Sequence, residues 1–322
     1  MKAVVCRTYG GPELLSVEDR PDPVPQDGEV LIRVHASSIN FPDALNIQGL
    51  YQVKRALPFV PGSEVAGVVE AIGAGVTRLK IGDRVAAVTQ VGGFAEKSLA
   101  PAAVTTVLPE DIPFDFAATF SVTYGTAYLA LAEQARLRPG ETVLVLGAAG
   151  GVGIAAIEIA KAMGATVIAA ASSPEKLTAA REAGADHVIG YDDLKTATRD
   201  LTDGRGADVV FDPVGDRFAE PALRALAWQG RYLVIGFAAG EIPRIPINLL
   251  LLKSASATGV FFGEWASRNP QEAARHVDAL FALYRRGAIT ARIGGRFALQ
   301  AVPDALIQIM ERRAIGKLLI EI

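Results

Sequence analysis

The sequence predicts an α/β protein in two parts: a β-rich domain and a doubly wound domain around a parallel sheet. Three observations carry this. The first third is dense in short Val-rich runs punctuated by Gly, Asp and Pro. From Val143 onward, short apolar runs alternate with helical stretches, the rhythm of βαβ units. At the first of those junctions stands VLVLGAAGGVG, a strand running into a cluster of glycines. A length of 322 residues suits two cores of ordinary domain size.

Taken in order, EVLIRVHASSI alternates, with Val30, Ile32, Val34 and Ala36 on one face and Leu31, Arg33, His35 and Ser37 on the other. EVAGVVEAIGAGV and GDRVAAV read as further strands closed by tight turns. The prolines between Pro12 and Pro25, and at Pro58 and Pro61, mark loops. FDFAATFSVTYGTAYLALAEQA, from Phe114, reads as a helix. Strands are then expected at Val143–Leu146, Thr166–Ala171, His187–Tyr191, Asp208–Phe211 and Tyr232–Ile235, and a last one at Ser256–Gly263. The tail reads strand (ARIGGRFAL), helix (Pro303–Arg312) and strand (GKLLIEI). The residues alone do not say which domain that tail joins.

The glycine cluster stands where a dinucleotide fingerprint belongs, between a buried strand and a helix that Gly164 would terminate. Gly147, Ala148, Gly150, Gly151, Val152 and Gly153 are the expected cofactor contacts. Small residues let the backbone approach a pyrophosphate, and the helix start supplies free N–H groups. Ala148 replaces the first glycine of the strict G-x-G-x-x-G pattern. At the end of the second strand, where an NAD site places an acid, the chain reads Ala171-Ser172-Ser173, with Lys176 one turn on. Hydroxyls and a lysine attract a 2′-phosphate that a carboxylate would repel, so NADPH is the expected cofactor. Two plainer roles compete: Lys176 as a solvated helix lysine, and the serines as a cap before Pro174.

Composition narrows the rest. Half of the residues are apolar and the net charge is −3, so nothing marks a nucleic-acid or anionic membrane partner. The single cysteine, Cys6, rules out a disulfide framework and a cysteine-based zinc site. The three histidines, His35, His187 and His276, lie on separate elements without ligand spacing. No phosphate-loop motif and no nucleophile–base arrangement is present. The start MKAVVCRTYGGPELL does not read as a signal peptide, no run is apolar enough to span a bilayer, and a cytoplasmic protein is expected.

PGSEVAGVVEAIGAGVTRLKIGDRV followed by GAAGGVG resembles the medium-chain dehydrogenase/reductase superfamily, in its zinc-independent, zeta-crystallin-like quinone oxidoreductase branch. INFPDALNIQGLY, LPFVPGSE, SVTYGTAYLAL, ADHVIGY, DVVFDPVG and GKLLI extend the likeness over nearly the whole chain. The resemblance implies a GroES-like catalytic domain over 1–117 and 286–322, and a Rossmann domain inserted over 118–285. Where zinc dehydrogenases of the superfamily carry Gly-His-Glu, this chain has Gly62-Ser63-Glu64, so no metal is expected.

The implied activity is zinc-free, NADPH-dependent hydride transfer to quinones or other activated carbonyl or alkene acceptors. The alternatives are a 2-alkenal or enoyl reductase, and a non-catalytic NADPH-binding protein. The resemblance places Asn40 and Tyr51 as catalytic hydrogen-bond or proton donors, with Phe41, Asp43, Tyr124 and Phe262 around the substrate. Packing or loop support is the competing role for Asn40 and Tyr51. It also brings Thr126, Tyr191, Gly236, Phe237, Phe261 and Lys317 to the cofactor. It further implies a homodimer formed through the edge strand near Val260.

Overall fold

The computed structural model describes residues 1–322. The chain divides into two compact units: Met1–Val122 with Asn269–Ala274 and Ile293–Ile322, and Thr123–Arg268 with Arg275–Arg292. The opening segment supplies β1 (Lys2–Cys6), β2 (Leu15–Asp19), β3 (Glu29–Ile39), α1 (Phe41–Ile47), β4 (Glu64–Ile72), β5 (Arg84–Val88), β6 (Lys97–Pro101) and β7 (Thr105–Val107). Helix α2 (Phe114–Tyr128) then carries the chain onward and ends in a π-helical turn, Leu129–Gln134.

The middle segment alternates β8 (Thr142–Val145), α3 (Gly151–Ala162), β9 (Thr166–Ala170), α4 (Pro174–Glu182), β10 (His187–Ile189), α5 (Leu194–Asp200), β11 (Ala207–Asp212), α6 (Ala219–Arg224) and β12 (Leu226–Val234). It continues through α7 (Asn248–Lys253), β13 (Ser256–Gly259), α8 (Phe262–Arg268) and α9 (Pro270–Arg285). The return segment is β14 (Ile293–Ala298), α10 (Val302–Met310) and β15 (Lys317–Glu321).

In the second unit the six strands form one parallel sheet in the order β10-β9-β8-β11-β12-β13. The chain starts at β8, winds outward one way and then returns to wind the other way. The strand order therefore reverses at β8, and a doubly wound sheet binds its ligand at that switch point, beyond the strand's carboxyl end. The continuous apolar runs of these strands follow from burial on both faces. Leu144, Leu146, Ile168, Val210 and Tyr232 form the core under α5 and α6.

The first unit is a mainly antiparallel sheet in the order β14-β15-β3-β4-β5-β7, with β6 also paired to β3. β15 pairs antiparallel with β3, from Leu318 opposite Ile39 to Glu321 opposite Ala36. The tail therefore belongs to this GroES-like sheet. Val30, Ile32 and Val34, the alternating face read from the sequence, pack with Val65, Val69 and Val85. Ser37 and the β3 end at Ser38 and Ile39 are buried as well, because β4 and β15 flank the strand's carboxyl end.

Two strand expectations are corrected. β12 starts at Leu226, six residues before the apolar run at Tyr232, because Leu226 already pairs with Ala207; a bulge that includes Gln229 at φ +59° then shifts the register before Arg231 pairs with Val209. β13 stops at Gly259, and Phe262 opens α8. Periodicity cannot separate strand from helix in a short apolar stretch such as GVFFG. No helix is long and apolar enough to cross a membrane.

Candidate active site

At the switch point, Gly147 leaves β8 in the left-handed region, φ +58°. The turn closes as Gly150 N–H donates to Gly147 O at 3.0 Å, and Ile154 N–H donates to Gly150 O at 2.9 Å. Gly150 is the N-cap of α3 and no side chain caps the helix. The first-turn N–H groups of Gly151, Val152 and Gly153 thus have no intrahelical partners, which is the arrangement an anionic group needs. A Cβ at Gly153 would lie 2.3 Å from Gly147 O and 2.8 Å from Ala148 Cα, so only glycine lets the helix seat against the turn. Ala148 N–H is spent on Ala170 O at 3.1 Å. The cradle suits a dinucleotide pyrophosphate.

Tyr191 lies just past β10. Its hydroxyl accepts the Gly147 N–H at 2.7 Å and donates to Ala170 O at 3.2 Å, while its ring packs on Phe218. Burial pushes its hydroxyl up to about 12. Tyr191 thus pins the turn to the end of β9, and its hydroxyl is engaged there rather than held out toward a phosphate. At that strand end Ser173 caps α4, accepting Lys176 N–H at 3.4 Å and donating to Glu175 at 2.9 Å. Lys176 Nζ sits 3.3 Å from Ser172 Oγ. Ser172 and Lys176 are the pair that faces outward, while Ser173 serves the helix. Thr126 on α2 and Gly236 and Phe237 beyond β12 are half-buried. Gly236 N–H reaches Asp212 O at 3.3 Å, so this segment stays beside the carboxyl end of β11.

Two expected residues of this unit, Tyr124 and Phe262, make packing contacts. Tyr124 is only 1% exposed; its hydroxyl donates to Glu158 at 2.6 Å and accepts from Ala291 N–H at 2.9 Å. It is a core strut, not a pocket wall. Phe262 lies across Gly125, where a Cβ would come within 2.5 Å of its ring, so its role is packing against α2. Phe261 is 57% exposed on the loop after β13.

The first unit gathers a polar cluster where β3, α1, β4 and β15 meet. Asn40 caps α1 and is 5% exposed. Its backbone N–H donates to Asp43 Oδ2 at 2.8 Å, one half of a capping box. Asp43 is fully buried and its Oδ1 has no hydrogen-bond partner. Burial pushes this carboxyl up to about 6, against the Asn40 N–H, Ser63 and Lys317. Asp43 therefore supports the loop from beneath instead of lining a pocket. Phe41 and Tyr51 are half-buried nearby in sequence, and burial raises the Tyr51 phenol, so it remains a proton-bearing donor at neutral pH.

Lys317 is corrected outright. Its ammonium does not reach toward cofactor phosphates: it is 4% exposed, donates to Ile39 O at 3.0 Å and Asn40 Oδ1 at 2.7 Å, and lies 3.7 Å from Glu64 Oε2. Burial pulls its pKa down, against the attraction of Glu64 and Asp43. Glu64 is completely buried and accepts from Ser38 Oγ at 3.0 Å, Asn40 Nδ2 at 3.2 Å and Val122 N–H at 2.9 Å. Sequence reasoning saw Glu64 only as the remnant of a ligand segment and missed Ser38. A contact between residues 64 and 317 leaves no local signal.

A parallel sheet with a glycine turn at its switch point, in one chain with a GroES-like sheet, is the make-up of a two-domain nicotinamide-dependent dehydrogenase or reductase. Residues 26–110 match the alcohol dehydrogenase GroES-like domain, and residues 151–279 match the family described as zinc-binding dehydrogenase. The chain is 39% identical to a quinone oxidoreductase-like protein 2 homolog of Nematostella vectensis, over 99% of this chain and 88% of the relative. It superposes on a mycobacterial protein solved with NADPH at a TM-score of 0.95, with 34% identity and full coverage of both chains. With the Escherichia coli quinone oxidoreductase complexed with NADPH the TM-score is 0.94 and the identity 29%, again over both chains. The chain belongs to the zinc-independent quinone oxidoreductase branch of the medium-chain dehydrogenase/reductase superfamily.

The metal in one matching family's description does not fit these residues. No three His, Cys, Asp or Glu side chains come together to hold an ion. Ser63 stands before Glu64, whose oxygens already accept three N–H or O–H donors beside an ammonium. No step is derived through zinc.

Proposed function

We propose that this chain is a zinc-free, NADPH-dependent reductase of quinones or of other activated carbonyl or alkene acceptors. The observation that carries this reading is the Asn40 cluster, which offers hydrogen-bond donors beside a buried cation but no ligand set for a Lewis-acidic metal. Without such a metal an alcohol is hard to activate, and the acceptor must already be electrophilic. Bound NADPH would supply the hydride. Gly147 and Gly150–Gly153 would hold its pyrophosphate, and Ser172 and Lys176 its 2′-phosphate. Asn40 donates to the acceptor oxygen as negative charge develops there, with Tyr51 as a second donor. NADPH oxidation by the purified protein, followed against quinones, enals and enones, tests this. Quinone turnover is expected. Tight NADPH binding with no turnover of any acceptor would make the chain a binding protein instead.

Cofactor choice is tested at Lys176. Lys176→Ala is expected to weaken NADPH about tenfold, roughly 1.4 kcal/mol, and to leave NADH nearly unchanged in a fluorescence titration. Equal losses for both would mean that the lysine acts through the fold of α4.

A homodimer through β13 belongs to the same reading. β13 is an edge of its sheet, and edges invite pairing. On the neighbouring β12 and α7, Trp228 is 68% and Leu251 81% exposed. Val260 is not the residue to alter: its N–H donates inward to Val234 O at 2.9 Å, so a proline there would damage the chain's own sheet. By strand alternation Ala257 and Gly259 point their N–H groups to the open edge. Light scattering should give twice the 33.8 kDa chain mass, falling toward one chain for Ala257→Pro with helical content kept. A dimer indifferent to that change would place the contact elsewhere.

A further inference from the structure

The carboxamide of Asn40 lies between two opposite charges. Lys317 Nζ donates to its oxygen at 2.7 Å, and its nitrogen donates to Glu64 Oε2 at 3.2 Å. An ammonium has only donors and an ionised carboxylate only acceptors. Half a turn of the amide would set N–H groups against the ammonium and oxygen against oxygen, so one orientation survives. In that orientation Nδ2 spends one N–H on Glu64 and keeps a second that has no acceptor in the protein.

The two charges are themselves held still. Glu64 takes Val122 N–H on one oxygen and Ser38 Oγ on the other, and Lys317 is anchored to Ile39 O. Glu64 is fully buried and Lys317 is 4% exposed. Removing such a pair from water costs more than its attraction commonly returns, so fold stability alone is a weak reason for it.

We propose that Glu64 and Lys317 are positioning residues, which lock the Asn40 carboxamide so that its spare N–H is presented to the carbonyl oxygen of the hydride acceptor. The Lys317 charge on the amide oxygen also polarises the group and strengthens that N–H as a donor. This rests on the reading of Asn40 as the donor to the acceptor oxygen.

The test is the double variant Glu64→Gln, Lys317→Met, in which both charges leave together. It is expected to melt near the parent and to bind NADPH as the parent does. With duroquinone its kcat should fall about tenfold to a hundredfold with little change in KM, because a misaimed donor loses transition-state contact and not substrate. A purely structural pair predicts that kcat returns with stability, and parental kcat in the folded double variant would overturn the proposal. Asn40→Ala separates the two layers. If it too runs at the parental rate, the reading of Asn40 fails; if it is slow while the double variant is fast, only the positioning role fails. Should the double variant not fold, a 15N-labelled parent decides, with NADP+ bound and duroquinone titrated in. One Asn40 amide proton should shift while the proton held by Glu64 stays; equal shifts, or none, would overturn the proposal.

Discussion

A chain carrying Gly153→Val is expected to lose at least about a hundredfold in affinity for NADPH and NADH alike, close to 3 kcal/mol. The cause is steric and local. The new Cβ would stand 2.3 Å from Gly147 O and 2.8 Å from Ala148 Cα, and both obstacles are backbone. The turn cannot slide away, because Gly147 N–H is tied to Tyr191 and Ala148 N–H to Ala170 O. Helix α3 must tilt off the turn, carrying its first-turn N–H groups away from the phosphates. Overpacking of this kind also lowers stability by about 1–3 kcal/mol, so the melting temperature should drop. Gly190→Ala is the control: nothing lies within 4 Å of its Cβ, and binding should be kept. Isothermal titration of both cofactors checks the pair. Unchanged affinity in Gly153→Val would mean that the turn does not cradle the pyrophosphate.

The second large effect is expected at Asn40. Asn40→Ala should lower kcat for quinone reduction by about a hundredfold, the scale of one lost oxyanion donor, and leave NADPH affinity unchanged. It should also destabilise the fold by about 1–3 kcal/mol, because Lys317 and Glu64 each lose a buried partner. Single-turnover mixing of NADPH-loaded protein with duroquinone separates the two effects. A parental single-turnover rate would remove Asn40 from the chemistry and leave it as a helix cap.

The parts legible in the sequence are those written in local spacing. VLVLGAAGGVG fixes a strand, a turn and a helix within a dozen residues, and the absence of an acid at Ala171-Ser172-Ser173 is read directly from the chain. The β-α-β tail was visible as a pattern, but its partner strand was not, because Leu318 meets Ile39 across nearly the whole chain. The same distance hid the Lys317–Asn40–Glu64 cluster: each residue looks ordinary in its own segment, and only pairing of β15 with β3 brings them together. Tyr124 misled for a related reason. An aromatic residue in a recognisable segment suggests a pocket, whereas its hydroxyl closes a buried network with Glu158, Thr290 and Ala291. In the run SATGVFFG the strand yields to a helix at Phe262, a boundary that apolar composition does not mark.

The central claim is hydride transfer from NADPH without a metal. Protein dialysed exhaustively against a chelator, shown by elemental analysis to hold far less than one zinc per chain, is mixed in a stopped-flow instrument with NADPH carrying deuterium or hydrogen at C4 and with duroquinone. The absorbance of reduced cofactor should fall at full rate after chelation, more slowly for one deuterated epimer than for the protiated cofactor. A rate that vanishes on chelation and returns with stoichiometric zinc would contradict the account, as would bound NADPH that no quinone, enal or enone oxidises.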